Sequence, residues 1–498
     1  MRVVLMRMGV AVTAAVLGGA VTTCATLTHK WDTVGDGLFG WLGPPYTDEV
    51  IEFYVEHYGL IVIGGATTCN ASDPGSSDSF EAARMLRQKK PGLTILLYEA
   101  TGFGALCLGS KEMLLHPEWW LRDDHGAVFN RTAHLENRTV NLGPLSIDWR
   151  IPEARQWWVT TVMQAHDGAT LFDGLLVDSA GPSVHLDNTT HFVTKATEKA
   201  LVQAKMDMLG EAKAYFSQLN GGEVIGNPTL EWGVVGYPDR EAEQPFSDPH
   251  YHWQYLTGTL DEMFGGFGTQ NSDDGSWNAT MMNMSITAIV ESTTKLNATV
   301  LVRGYPGPCS IPFLSLNASC VGEDKCPTMG PNAGMKHITV PQWAAGWPEP
   351  QPTTVEEFQE AAVRLLPQAL APYLILAGPS TWWSYAYFYG ADSGWYVCKN
   401  NPKSCIAPQG WYPELAQKLG APLGPATNKG WTWTREFEYA SASIDLQDRT
   451  ASKVTFHTGD KRPAAAKASA TAVVDRQCTV EPQQWSSLLD EWRSVTVL

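Results

Sequence analysis

Eight times along this chain a short apolar run is followed by a segment with helical spacing or by turn residues, and few folds can absorb such a pattern. The first run is LFGWLG, residues 38–43, followed by TDEVIEFYVEHYG, where Thr47 or Asp48 caps the helix N-terminus and Gly59 its C-terminus. LIVIGG and a helix over SDSFEAARMLRQKKPG come next, then LTILLYEATG, and after a long insertion a helix in PEARQWWVTTVMQAHDG that begins on Pro152. The fourth run, FDGLLVDSAG, sets Leu175, Leu176 and Val177 between two aspartates, Asp173 and Asp178. A long helix ending at Gly222, then EVIGNPTLEW, GTLDEMFGG, a helix over TMMNMSITAIVESTTKLN, ATVLVRGYPG, a helix over TTVEEFQEAAVRLLPQALA, and PYLILAGPSTWW complete the series. Uninterrupted apolar runs are what parallel strands covered on both faces look like. Eight of them spread over about 350 to 400 residues predict an α/β fold, a (β/α)8 TIM barrel, rather than an open doubly wound sheet. The barrel is expected over residues 27–425. From Gly430 the pattern changes to the alternation of short antiparallel strands, a β-appendage over 430–460, and residues 461–498 begin as a low-complexity tail.

The rest of the chain limits its chemistry and its compartment. With 52 acidic against 35 basic side chains the net charge is -17, which argues against nucleic acid and against acidic polymers as partners. No G-x-G-x-x-G follows the first run and no P-loop is present, so no nucleotide cofactor is expected; without C-x-x-C or H-E-x-x-H, no metal site is expected either. Arg2 and Arg7 precede a short apolar segment that ends in small residues, the order of a secretory signal, predicted over residues 1–26, with a lipobox at Cys24 as the alternative. Sequons at Asn70, Asn130, Asn137, Asn188, Asn278, Asn283, Asn297 and Asn317 fit a secreted glycoprotein. Without Cys24 the cysteines form an even set suited to disulfides, with Cys398–Cys405 and Cys320–Cys326 as plausible local pairs and the rest of the connectivity open. The C-terminus lacks a lipid-anchor tail and no second membrane span is expected, so the mature chain is expected to be free of the membrane.

In order, LLYEA, HPEWWLRDDHG, LSIDWRIPEARQWW, DGLLVDSAG, LAQKLGAPLGPA and TREFEYASASIDL resemble the glycosyl hydrolase-like TIM barrels near the α-galactosidase-type enzymes, and hypothetical glycosyl hydrolase family fifteen most of all. The likeness covers roughly residues 38–456, although Ala440 to Ser443 stand where the family more usually has a turn glycine. The resemblance implies a barrel acting on an oligo- or polysaccharide by glycoside hydrolysis, with a catalytic-type aspartate at Asp178.

Glycoside hydrolysis needs two carboxyl groups, one to protonate the leaving oxygen and one to act as nucleophile or base, and barrels gather such groups at the C-terminal ends of their strands. Asp178 ends the fourth run and is the first candidate, against the plain alternative of a turn-capping carboxylate. Asp261 and Glu262 end the sixth; alternation should turn one to the mouth and the other aside, and Glu262 is favoured as the acid. Glu99 and Glu231 are rivals or substrate hydrogen-bonding groups, and Asp148, Arg150 and Arg303 are candidates for binding hydroxyls, against ordinary ion-pair roles. The chain holds 20 tryptophans, and indole faces stack well on sugar rings. Trp382, Trp383 and Tyr385 are the expected aromatic platform, a packed cap over the barrel being the alternative. His116 in HPEWW reads more readily as a packed, hydrogen-bonded residue than as a site residue. Two other classes stay open: a carbohydrate-binding pseudoenzyme on the same barrel, and a metal-assisted deacetylase, for which His250 and His252 are the sole close histidine pair.

Overall fold

The computed structural model describes residues 27–35, 37–39, 48–64, 78–101, 115–128, 132–135, 138–141, 147–164, 171–178, 180, 192–220, 222–227, 255–261, 279–295, 297–304, 355–385 and 412–458. Its strands in chain order begin with β1 (Gly37–Phe39), β2 (Leu60–Gly64), β3 (Thr94–Ala100), β4 (Thr132–Leu135) and β5 (Arg138–Asn141). They continue with β6 (Gly174–Asp178), β7 (Glu223–Gly226), β8 (Gly258–Asp261), β9 (Thr299–Gly304) and β10 (Thr381–Tyr385). The helices are α1 (Asp48–His57), α2 (Asp78–Lys89), α3 (Pro152–Gln164), α4 (Lys195–Asn220), α5 (Ala279–Lys295) and α6 (Val355–Leu376). Eight strands form one parallel sheet in the order β1-β2-β3-β6-β7-β8-β9-β10. β10 lies beside β1, and the Trp383 amide donates to the Gly35 carbonyl at 2.8 Å, so the sheet curls back on itself as a (β/α)8-type barrel.

Strand alternation sorts the apolar side chains into two layers. Leu60, Val62, Leu96, Leu176, Ile225, Leu260, Leu301 and Trp382 fill the barrel interior, while Ile61, Ile63, Ile95, Leu97, Leu175, Val177, Val224, Val300 and Val302 face the helices. Strands buried on both faces leave no room for regular polar alternation, which is why the runs are predominantly apolar. Gly174 is required where β6 meets β7: a Cβ there would lie 2.2 Å from the Glu223 carbonyl oxygen.

The floor of the barrel, at the N-terminal ends of the strands, is tied by charge and by the entering chain. Asp173 accepts from Arg87 Nη2 at 2.6 Å and from the Ile95 amide at 2.7 Å, clamping α2 to β3 and β6. Leu27 reaches into the interior layer, and its carbonyl accepts from Trp382 Nε1 at 3.1 Å. Beyond the barrel, β11 (Thr427–Lys429), β12 (Thr432–Glu436), β13 (Ala440–Asp445) and β14 (Lys453–Phe456) form an antiparallel sheet. Its buried Ala440, Ala442 and Ile444 pack in the same core as α6. Arg435 on β12 donates to the Leu374, Ile375 and Ala377 carbonyls at the end of α6, and its guanidinium lies 5.3 Å from the Phe437 ring centre. Burial lowers this guanidinium to about 10, still charged at neutral pH. The R-x-F motif is thus a helix C-cap that docks the sheet.

The structure departs from the expected pattern at two points. The run PYLILAGPSTWW is not one strand: Pro372 to Leu376 form the last turns of α6, and β10 begins only at Thr381. The first strand is described over Gly37–Phe39, and residues 40–43 of the expected run lie outside the described residues. The insertion after β3 contains a hairpin, β4 and β5, that the pattern did not suggest. The expected leader over 1–26, the expected tail over 461–498, every cysteine, and the sequons other than Asn283 and Asn297 lie outside the described residues.

Candidate active site

At the C-terminal end of the barrel, alternation decides which polar residues face inward. Gly174, Leu176 and Asp178 share the interior parity of β6, so the aspartate stands above Leu176 at the mouth. Tyr98, on the interior side of β3, donates its phenolic O–H to Asp178 Oδ2. Asn227, directly after β7 and buried, donates from Nδ2 to Asp178 Oδ1 at 3.1 Å. The backbone holds the same junction: the Asn227 amide donates to Val177 O at 2.9 Å, the Ala180 amide to Asn227 O at 2.8 Å, and the Thr101 amide to Asp178 O at 3.0 Å. Three neighbouring strand ends therefore meet at one carboxylate. Neither Tyr98 nor Asn227 was singled out in the sequence. The register of β3 on β6, which pairs Tyr98 with Leu176, brings them together, and a lone Tyr in LLYEA carries no signal of that pairing.

Glu99 and Asp261 take the opposite parity. Glu99 follows Ile95 and Leu97 on the helix side of β3 and is 5% exposed; burial pushes its carboxyl up to about 8, so it is largely neutral near pH 7. Asp261, 1% exposed, lies beyond Leu260, whose side chain fills the interior, so the aspartate turns to the helices. Of the DE pair, then, Asp261 is the one that points aside. Among the described residues, Asp178 is the carboxylate with interior parity at the mouth. Glu262 and Glu231 lie outside the described residues. Arg303 has interior parity near the end of β9, above Leu301, and is buried. Lys205, on α4, is also buried; desolvation brings its ammonium down to about 7, with the Asp178 charge acting against the shift.

Asp148 and Arg150 are joined to each other. Asp148 Oδ1 accepts from Arg150 Nε at 2.8 Å and from its amide at 3.0 Å, and Oδ2 accepts from Nη2 at 2.7 Å, while the Asp148 amide donates to Trp119 O at 2.8 Å. The pair fastens SIDWR to HPEWW. In that second motif His116 stacks on Trp119 with ring centres 4.0 Å apart and contacts Glu118 Oε1 at 2.6 Å, the packed role expected of it.

The aromatic platform has to be corrected. Trp383 and Tyr385 are fully buried on the helix side of β10, where Trp383 stacks between Tyr373 and Tyr385. Trp382 faces inward but sits low in the barrel, bonded to Leu27 and edge-on to His29 at 5.4 Å. None of the three presents a face to a sugar at the mouth. The displaced boundary of α6 explains it: β10 begins at Thr381, so Trp382 is only its second residue.

A family model described as hypothetical glycosyl hydrolase family 15 matches residues 108–441. Among solved structures, the chain is similar to the glycoside hydrolase domain of PelA from Pseudomonas aeruginosa, with 12% identity, 54% of this chain and 83% of that one covered, and a TM-score of 0.31. It is similar to the PgaB (BpsB) glycoside hydrolase domain from Bordetella bronchiseptica at 9% identity, covering 74% and 96%, with a TM-score of 0.36. For Bacillus licheniformis trehalose-6-phosphate hydrolase the figures are 9%, 55%, 57% and 0.34. No curated protein matches.

Proposed function

Because the chain belongs to hypothetical glycosyl hydrolase family 15, we propose that it hydrolyses an O-glycosidic bond of an oligo- or polysaccharide with two carboxyl groups at the barrel mouth. The observation that carries this reading is Asp178, a carboxylate at the C-terminal end of a central strand with interior parity. Asp178 either attacks the anomeric carbon or takes the proton of a water that does. The bond to the leaving oxygen breaks, and that oxygen takes a proton from the second carboxyl group. We assign this acid to Glu262; support comes from Asp261, whose helix-side parity removes the other member of the DE pair as a candidate. Arg303 and Glu231 are assigned to the sugar hydroxyls. A separation of about 5 to 5.5 Å between the two carboxyl groups gives retention, and one of about 6.5 to 9.5 Å leaves room for a water and gives inversion.

Asp178→Asn should abolish turnover of aryl glycosides while leaving the melting temperature near that of the parent. Unchanged turnover would remove Asp178 from the mechanism. Glu262→Gln should lose most activity on substrates with poor leaving groups and far less on activated aryl glycosides, which need little protonation; equal losses on both would dismiss the acid role. A second reading, a carbohydrate-binding pseudoenzyme, draws on the helix-side parity of Glu99 and Asp261, which removes two of the candidate partners for Asp178. It predicts glycan binding that survives Asp178→Asn with no turnover in the parent.

Secretion belongs to the same proposal. The leader-like N-terminus, the sequons and the even set of cysteines after Cys24 support it. Thiol titration of the unfolded, unreduced mature protein should find no free cysteine, and two or more would contradict it.

A further inference from the structure

Asp178 is held from both sides by uncharged donors that belong to the neighbouring strands. Tyr98, two residues before the end of β3, donates to Oδ2, and Asn227, one residue past β7, donates to Oδ1 at 3.1 Å. Both donors are anchored independently of the carboxylate. Tyr98 packs against the interior apolar layer, and Asn227 is 1% exposed with its amide and carbonyl both in the backbone ladder of β6. Two donors on two different oxygens fix the plane of the carboxylate as well as its place.

We infer that Tyr98 and Asn227 are positioning residues that hold Asp178 as the nucleophile-or-base member of the catalytic pair. The assignment rests on the glycosidase reading and deepens it: it names the two side chains that aim the nucleophile-or-base carboxylate. Positioning of this kind acts on the chemical step rather than on substrate affinity, and a displacement of about 1 Å is enough to lose on the order of a hundredfold in rate.

The test uses the full chain and a panel of 2,4-dinitrophenyl glycosides, with Asp178→Asn, Tyr98→Phe, Asn227→Ala and the two double variants containing Asp178→Asn. In Tyr98→Phe and Asn227→Ala, kcat should fall about 10- to 100-fold with KM within about twofold of the parent. Azide attacks the anomeric carbon directly as the dinitrophenolate leaves, needing neither an enzyme nucleophile nor a base, so it should restore product formation in Asp178→Asn as the glycosyl azide. In that azide-rescued background, adding Tyr98→Phe or Asn227→Ala should change the rate by less than about twofold, because their effect runs through the missing carboxylate. A role confined to structure would instead lower both backgrounds alike and overturn the inference. Parental kcat in both single variants, beside a dead Asp178→Asn, would also overturn it while leaving the glycosidase reading intact. A parent inactive on the whole panel would sink that reading and this assignment with it. Thermal melts guard against misfolding, and Asn227→Asp, which keeps the size but removes the donor, serves as the second variant at that position.

Discussion

Glu99 and Lys205 are buried ionisable groups displaced in opposite directions, and together they shape the dependence of stability on pH. Between its ordinary 4.5 and about 8, the folded protein keeps a proton on Glu99 that the unfolded chain has released, so stability falls as pH rises through that window. Between about 7 and the ordinary 10.5 of lysine, the unfolded chain holds a proton that folded Lys205 has given up, so stability rises with pH there. The minimum should lie near pH 7 to 8, at the overlap of the two windows. Glu99→Gln should flatten the acid-side fall, worth a few kcal/mol at most, on the order of 5 as an upper bound. Lys205→Met should flatten the alkaline rise. Urea unfolding of the parent and both variants at about pH 5, 7.5 and 9.5 measures this, and a parent curve that falls steadily across the range would refute the Lys205 half.

At the scale of elements, Arg435 joins the end of α6 to the antiparallel sheet through three carbonyls. Arg435→Met should destabilise the protein by about 2 to 4 kcal/mol, read as a lowered denaturation midpoint, and Arg435→Lys should recover only part because an ammonium cannot span the same fork. The barrel strands up to β9 were legible from their apolar runs, since burial on both faces leaves a composition that sequence displays directly. The end of α6 was not. YLIL satisfies a buried strand and the last turn of a buried helix equally well, and Pro372 invited a break that the helix does not make. That single shift carried Trp382, Trp383 and Tyr385 away from the mouth, since both depth and facing follow from where a strand starts. At the site, Asp178 was legible because its position relative to LLV fixes both strand end and parity. Its partners Tyr98 and Asn227 were not, because they are neighbours only through the parallel register of β3, β6 and β7.

At the scale of the whole molecule, β6 has an aspartate before it and another at its end, on opposite faces of the barrel. Asp173 serves the floor through Arg87 and the Ile95 amide; Asp178 serves the mouth. Asp173→Asn should therefore lower the denaturation midpoint, by about 1 to 2 kcal/mol after allowing for the partial exposure of the ion pair, and leave kcat unchanged. Asp178→Asn should do the reverse, and a loss of turnover in Asp173→Asn without a loss of stability would break the division. The strap of residues 27–35 has a different consequence, which concerns time. His29 bonds to Gly378 across 349 residues, Trp382 to Leu27 across 355, and the Gly420 and Leu419 amides to the carbonyls of Trp31 and Asp32. A ribosome adding about 5 to 20 residues each second delivers the partners of this first segment some 20 to 80 seconds after making it. Through that interval the floor of the barrel is open and the strap has nothing to hold, so the nascent chain waits, exposed to chaperones and proteases alike, for its own far end.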